Sequence, residues 1–292
     1  MLVNKKNRAY LYIVPSFIGI LLIVVLPIFY CIYISFTNMN MYHWINYRFV
    51  GLESYTKVLK GLNGEFYQVL LRTIVWTVIN IFLQVAFGIF LAMLLNIKQL
   101  KLKGLMRTLL ILPWAIPVYI SSLIWKGMFN YDFGIVNDLI TKIGLHRIEW
   151  LTSPTFGMIA CIIVNVWLAT PFMMTVCLGA LQSIDASYYE AADMDGANAF
   201  DKFFRITLPL IKSMLIAPII LTSFVTFKQF DIIYLMTGGL GGKTDVVITY
   251  AYNKAFTSKN YAFSSAFSVI IFLILLVFTI INMRAVKGGE DI

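Results

Sequence analysis

Apolar residues follow one another in this chain without the polar interruptions, every three or four positions, that give a helix one wet face. Six stretches hold that character, residues 10–33, 69–97, 105–129, 156–181, 211–235 and 261–283. Each reaches the roughly 20 residues that an α-helix needs to cross about 30 Å of hydrocarbon. Residues 73–97, 151–184 and 260–283 contain no charged side chain at all. A helix that is apolar on every side is buried or lipid-facing, so the pattern predicts an all-α polytopic membrane protein. Its six-helix domain covers 10–284, between short tails at 1–9 and 285–292.

The polar remainder orients the spans. Six crossings put both termini on one side, where the tails and the loops at 98–107 and 202–212 carry twelve Lys and Arg, against eight on the other side. The positive-inside bias then places both termini in the cytoplasm of a cell membrane. Lys5, Lys6 and Arg8 before the first apolar run look superficially like a secretory leader, but the run is too long and ends in no small-residue cleavage site, which makes it the first span.

Composition agrees: 60% of residues are hydrophobic and 13% charged, against roughly a quarter charged in soluble proteins. A net charge of +9 would suggest nucleic acid in a soluble chain. Here the basic residues flank apolar runs, where they face lipid headgroups, and no nucleic-acid partner is expected. Cys31, Cys161 and Cys177 lie inside apolar segments without ligand-like spacing, so neither disulfides nor a metal site is expected. His43 and His146 are the only histidines and fall in predicted outer loops, which leaves no catalytic cluster.

Several motifs invite chemistry. The run 238–244 ends in Gly-Lys-Thr, but a phosphate-binding loop needs glycine where Thr237 stands, no strand precedes it and no clear helix follows Thr244. Any ATP must therefore be hydrolysed by another subunit. The run otherwise reads as a flexible glycine-rich insert. Pro113, Pro117, Pro171 and Pro218 fall inside spans, where each removes a backbone donor and hints at a polar pathway. Lys228 and Asp231, three apart on the fifth span, are spaced to pair on a helix. Asn165, Trp167, Phe172, Thr222, Thr226, Phe227 and Gln229 offer amides, hydroxyls and aromatic faces, a palette for an uncharged sugar.

The loop 183–209 is too patterned for a linker. Asp185 or Ser187 caps a short helix through Ala192, Gly196 suits its C-terminal turn, and Asn198 caps a second helix that stops before Pro209. Ala191 and Ala192 keep the first helix slim enough for a groove on a partner, and Glu190 projects a charge from it.

This loop resembles the coupling loop of importer-type ABC transporter permeases, with Glu190, Ala191, Ala192, Gly196, Ile206, Leu208 and Pro209 in register. Asp185 departs from that pattern, which usually has proline there. The resemblance implies the type I importer permease fold, with Tyr189, Glu190, Ala191, Ala192, Asp195, Gly196, Leu208 and Pro209 coupling to a cytoplasmic ATPase. Residues 164–174, 178–184 and 230–239 are similar to the carbohydrate branch, in particular to the larger channel subunit of maltose and maltodextrin importers, although Leu240 and Gly241 replace its usual Gly-Pro.

That likeness implies sugar contacts at Asn165, Leu168, Ala169, Phe172, Thr222, Thr226 and Gln229. It also implies a second homologous permease subunit, two ATPase subunits using ATP and Mg, an extracytoplasmic sugar-binding protein, and no cofactor on this chain. Maltodextrin is the sugar expected; trehalose, a galactoside, an alginate-like oligosaccharide and glycerol phosphate stay open. An ion-coupled transporter is the rival class.

Overall fold

The computed structural model describes residues 5–61, 64–97 and 99–290. The rest of the predicted tails, 1–4 and 291–292, lies outside these residues, as does Lys98. The helices are α1 (Lys5–Ile20), α2 (Leu26–Ser35), α3 (Glu53–Lys60), α4 (Glu65–Asn96), α5 (Lys103–Ala115), α6 (Val118–Met128), α7 (Ile135–Lys142), α8 (Pro154–Gln182), α9 (Ala186–Met194), α10 (Ala199–Lys202), α11 (Leu208–Phe227), α12 (Asp231–Thr237), α13 (Val247–Tyr252) and α14 (Tyr261–Glu290). Among the described residues the only β pairing is one bridge between Thr37 and Phe49.

Five helical runs are long and apolar enough to cross a membrane: Tyr12–Ser35, Glu65–Asn96, Pro154–Gln182, Ala199–Thr237 and Tyr261–Ile281. α5 and α6 supply a sixth crossing as a pair bent by 95°. The chain is thus the all-helical, multi-pass membrane protein that the apolar pattern predicts.

The chain divides into two compact units. The first comprises residues up to Gln68 together with Tyr250–Phe278. Ile34, Met39 and Ala262 pack there against Tyr47 and Tyr261, and the Ala262 amide donates to the Met39 carbonyl at 2.9 Å. Glu65 accepts from the Tyr250 hydroxyl at 2.5 Å and lies 3.3 Å from the Lys254 amine.

The second unit, Val69–Thr249 with the chain from Thr279 on, is built around α8. Half of the apolar window of α8 is buried. Its C-terminal half, through Met173, Cys177, Leu178 and Leu181, packs with Ile89, Ala92 and Leu95 of α4 and Ile211 and Leu215 of α11. Its N-terminal half, through Ala160, Cys161, Val164 and Leu168, packs with Trp76, Ile232, Ile233 and Met236. α4 approaches closely because Gly88 has no side chain: a Cβ there would lie 2.7 Å from Met173 Cγ and 3.1 Å from its backbone carbon. Small residues at such crossings are how membrane helices gain contact without a hydrophobic driving force.

Four expectations are corrected. The third span, 105–129, is not one continuous helix. Ile116 and Pro117 take extended conformations between α5 and α6, because Pro117 disfavours a helical conformation at Ile116. The second loop helix does not stop before Pro209: α10 runs through a π-helical turn, Phe203–Thr207, straight into α11, and Pro209 follows that turn as the second residue of α11. Lys228 and Asp231 do not pair, since Lys228 caps the end of α11 and Asp231 opens α12; no ion pair joins them among the described residues. Finally, a helix does follow Thr244, α13, and the glycine run before it is a folded turn.

Replacing Gly88 with valine is expected to force α4 and α8 apart and to destabilise the protein by about 1–3 kcal/mol. A lower thermal-unfolding midpoint in detergent, with Gly88→Ala falling between the two, checks this; an unchanged midpoint refutes the close packing.

Candidate functional site

In the second unit a cavity of about 320 Å³ opens where two broken helices meet α8. Asn165, Leu168, Ala169 and Phe172 line it from α8, and Leu221, Thr222 and Val225 from α11. Gln229 lines it from the break between α11 and α12, and Ile116 from the break between α5 and α6, with Trp114, Val118 and Ile232 beside them. Non-helical backbone at membrane depth is tolerated where protein or a cavity satisfies it, and both breaks of this unit border the same cavity.

A ladder of hydrogen bonds holds the wall. The Trp76 indole N–H donates to the Thr226 carbonyl at 3.0 Å, closing the frayed end of α11. One turn on, Asn80 Nδ2 donates to the Trp76 carbonyl at 2.8 Å. That leaves Asn80 Oδ1 as acceptor for Asn165 Nδ2 at 2.7 Å. Asn165 therefore presents its Oδ1 and one remaining N–H. The Thr222 hydroxyl donates to the Pro218 carbonyl at 2.8 Å, so it meets the cavity as an acceptor. The Trp114 and Phe172 rings lie 6.2 Å apart and add aromatic surface. Not one lining side chain is charged.

Of the seven sugar-contact positions named from the sequence, the fold gathers six at this cavity. Thr226 is the seventh; it is buried outside the lining, and its carbonyl is the one that Trp76 caps. Trp114, Ile116, Val118, Leu221, Val225 and Ile232 were not singled out. Their signals were the two prolines that bracket Trp114 to Ile116, and the helical stripe of Pro218, Leu221, Thr222 and Val225. One turn beyond Asn80 the Gln84 carboxamide is fully buried without a hydrogen-bond partner among the described residues, a burden of about 1–3 kcal/mol.

The glycine run is pinned by Arg72, whose Nη1 donates to the carbonyls of Gly242 at 2.7 Å and Asp245 at 2.9 Å. Gly238, Gly239, Gly241 and Gly242 all take positive φ, which glycine adopts without strain. The Thr73 hydroxyl then accepts the Val247 amide at 3.0 Å and starts α13.

At the far end of α8 lies the loop carrying α9. Asp185 caps α9 by accepting the Ser187 amide at 2.8 Å. That backbone N–H stabilises the carboxylate and holds its pKa below the usual aspartate value. Gly196 takes φ +74° at the exit of α9, and Asn198 accepts the amides of Phe200 and Asp201 at 2.9 and 3.0 Å. Two bonds brace the knob: the Tyr189 hydroxyl with Thr207 Oγ1 at 2.9 Å, and an ion pair between Lys202 and Asp193. Ala192 is buried against the bundle, whereas Glu190, Ala191, Asp195, Gly196 and Pro209 are exposed and Tyr189 and Leu208 half-buried. Tyr188, Met194 and Phe200 are 54%, 89% and 77% exposed on the same knob. Between 185 and 202 five acidic side chains face one basic one, so the outer face is acidic and apolar.

The family described as "Binding-protein-dependent transport system inner membrane component" matches residues 84–287. The trehalose/maltose transport system permease protein MalF of Thermococcus litoralis is 35% identical over 289 residues, 99% of this chain and 96% of that protein. The maltose/maltodextrin transport system permease protein MalF of Escherichia coli (strain K12) is 37% identical over 256 residues, 82% of this chain; the chain spans only 50% of that longer relative. The fold matches a solved bacterial ABC transporter involved in the import of alginate with a TM-score of 0.80 at 23% identity, covering 96% of this chain and 95% of that one.

Asn80→Leu is expected to cost about 1–3 kcal/mol by leaving Asn165 without its acceptor, and adding Asn165→Leu should recover most of the loss; a double-mutant cycle on thermal midpoints measures this, and additive losses sink it. At α9, Asp185→Ala should speed amide exchange over 187–192 at neutral pH while Asp185→Asn does not. A lowered carboxylate pKa contributes stability above the unfolded value near 3.9 and loses it as pH falls through the folded value, so the gap between wild type and Asp185→Ala should narrow below about pH 4 toward that between Asp185→Asn and Asp185→Ala.

Proposed function

The chain belongs to the family of binding-protein-dependent transport system inner membrane components, the permeases of ABC importers, and we propose that its cargo is an uncharged oligosaccharide of the maltodextrin kind. The observation that carries this reading is the cavity itself. It is neutral, walled by aliphatic and aromatic surface, and fitted with a few amide and hydroxyl groups at Asn165, Thr222 and Gln229. Sugars are bound by such a mixture of ring-stacking faces and sparse polar partners. An acidic saccharide or glycerol phosphate would meet no cation there. Similarity to permeases named for maltose and trehalose supports the same class.

In this reading the α9 knob faces the cytoplasm, as do both termini, and docks in a cleft of a separate ATPase, which binds ATP and Mg. Tyr189, Glu190, Ala191, Asp195, Gly196 and Pro209 form the contact, while the buried Ala192 and half-buried Leu208 support it from beneath. The acidic face calls for basic residues in that cleft. A second permease subunit completes the pathway, and an extracytoplasmic binding protein delivers the sugar. Closure of two ATPase subunits moves the knobs together, and α8 and α11 carry that motion to the cavity, which opens alternately to either side.

The test reconstitutes this chain with the subunits that co-purify with it and measures ATP hydrolysis across a panel of binding-protein-loaded sugars. Maltodextrins should stimulate turnover; trehalose or a galactoside doing so instead changes the cargo, and stimulation by acidic saccharides alone refutes a neutral site. Glu190→Ala should weaken ATPase association by at least about tenfold, as truncating one partner of an interfacial charge pair does, with membrane insertion intact. Normal coupled uptake by that variant refutes the docking role.

A further inference from the structure

Sugar transport leaves one large feature unused, a groove of about 480 Å³ between α4, α5 and α8. Leu83, Phe87 and Leu91 form one wall, Leu110 and Pro113 another, and Trp167 the floor. The one hydroxyl in the lining, on Thr170, already donates to the Val166 carbonyl at 2.6 Å. With the Trp167 indole that makes two polar groups in an otherwise aliphatic and aromatic lining, and neither of the carboxamides that the sugar cavity offers at Asn165 and Gln229.

Its occupant is indicated by what stands at one end. Lys103, Arg107 and Leu110 follow at i, i+4 and i+7 on α5, so two cations share the helical stripe that lines the groove. Lys103 is half-buried and Arg107 exposed, and Lys101 is exposed in the turn before them. Among the described residues none of the three forms an ion pair. No Asp or Glu occurs in the sequence between Glu65 and Asp132 to offset them. The cluster therefore asks for an anion at the mouth of an apolar groove.

The depth fits as well. From Asn96, at the basic end of α4, to Phe87 is nine residues, or about 14 Å at 1.5 Å per residue, about one leaflet of the roughly 30 Å hydrocarbon core, and the lining goes on to Leu83, about 20 Å from Asn96. We propose that this groove is a binding site for one anionic phospholipid, an acyl chain lying along Leu110, Pro113, Leu91 and Phe87 and the phosphate held by Lys103 and Arg107. The lipid would fill a face of the bundle that α5 leaves uncovered, since no α5 residue is buried.

The experiment delipidates the purified chain with whatever subunits accompany it. It titrates phosphatidylglycerol or phosphatidylcholine with matched acyl chains and counts bound lipid by native mass spectrometry. Phosphatidylglycerol should bind at least roughly tenfold better, each basic side chain near an anionic surface contributing about fivefold. Lys103→Gln with Arg107→Gln should bring the ratio close to one without changing phosphatidylcholine binding. Leu110→Trp, which fills the groove, should weaken both lipids. Millimolar inorganic phosphate should displace neither. Equal binding of the two lipids, or a ratio unmoved in the double glutamine variant, overturns the proposal. So does efficient cross-linking of Phe87→Cys to a second permease subunit, which would make that protein the occupant.

Discussion

Inside hydrocarbon a backbone N–H or C=O that leaves a helix has no water to turn to, and each such group left alone costs several kcal/mol. This constraint explains where the second unit permits irregularity. α11 ends in mid-span at Phe227, and the carbonyl that loses its helical partner, that of Thr226, is met by the Trp76 indole and by the Gln229 amide at 3.2 Å. α12 ends against α6, whose Lys126 amine donates to the Leu235 carbonyl at 2.9 Å. The α5–α6 break opens on the cavity itself. Each interruption is thus either capped by a side chain from a neighbouring helix or turned toward a space that a polar ligand or water can fill. A binding cavity in the membrane is the place where broken helices are affordable.

The same logic explains what could be read in the sequence and what could not. The spans were legible because hydrocarbon imposes length and composition directly, residue by residue. The knob was legible because caps act locally: Asp185 and Asn198 reach amides two or three residues ahead, and Gly196 meets a local demand for positive φ. At Pro117 the sequence signals an interruption but not the sharp bend, since a proline states that a helix is interrupted but not by what angle. Pro209 reads as a stop because nothing local shows that a π-helical turn carries the chain through to it.

Long-range partners were hidden altogether. That Arg72 pins the glycine turn, 170 residues away in sequence, follows from packing alone. Without Arg72 in view the run looked flexible, and without Thr73 in view α13 had no visible start. Lys228 and Asp231 had the right spacing for a helix pair, but the helix ends between them. The cavity positions on α8 and α11 came from family resemblance, and the fold brings most of them together. Those on the α5–α6 break are marked only by the bracketing prolines, because their contribution depends on an angle that the sequence does not state.

The physical link between knob and cavity lies in chain connectivity. α8 carries Asn165 at the cavity and ends at Gln182, just before the knob, and 17 helical residues span about 25 Å. α11 leaves the knob and carries Thr222 to the same cavity. The two strands of this connection are clamped along the way by Cys177, Leu178, Leu181, Ile211 and Leu215, all buried in one cluster with Ile89 and Ala92 of α4. A close-packed seam of that kind transmits displacement instead of absorbing it. At the knob, Tyr189 is bonded to Thr207 and Lys202 to Asp193, so a pull on α9 is delivered to the start of α11 as well as to the end of α8. Past the clamp, the rigid path ends where the helices break, at Gln229 and at Ile116. In the proposed transport cycle those breaks are the joints at which movement of the knob would change the shape of the cavity.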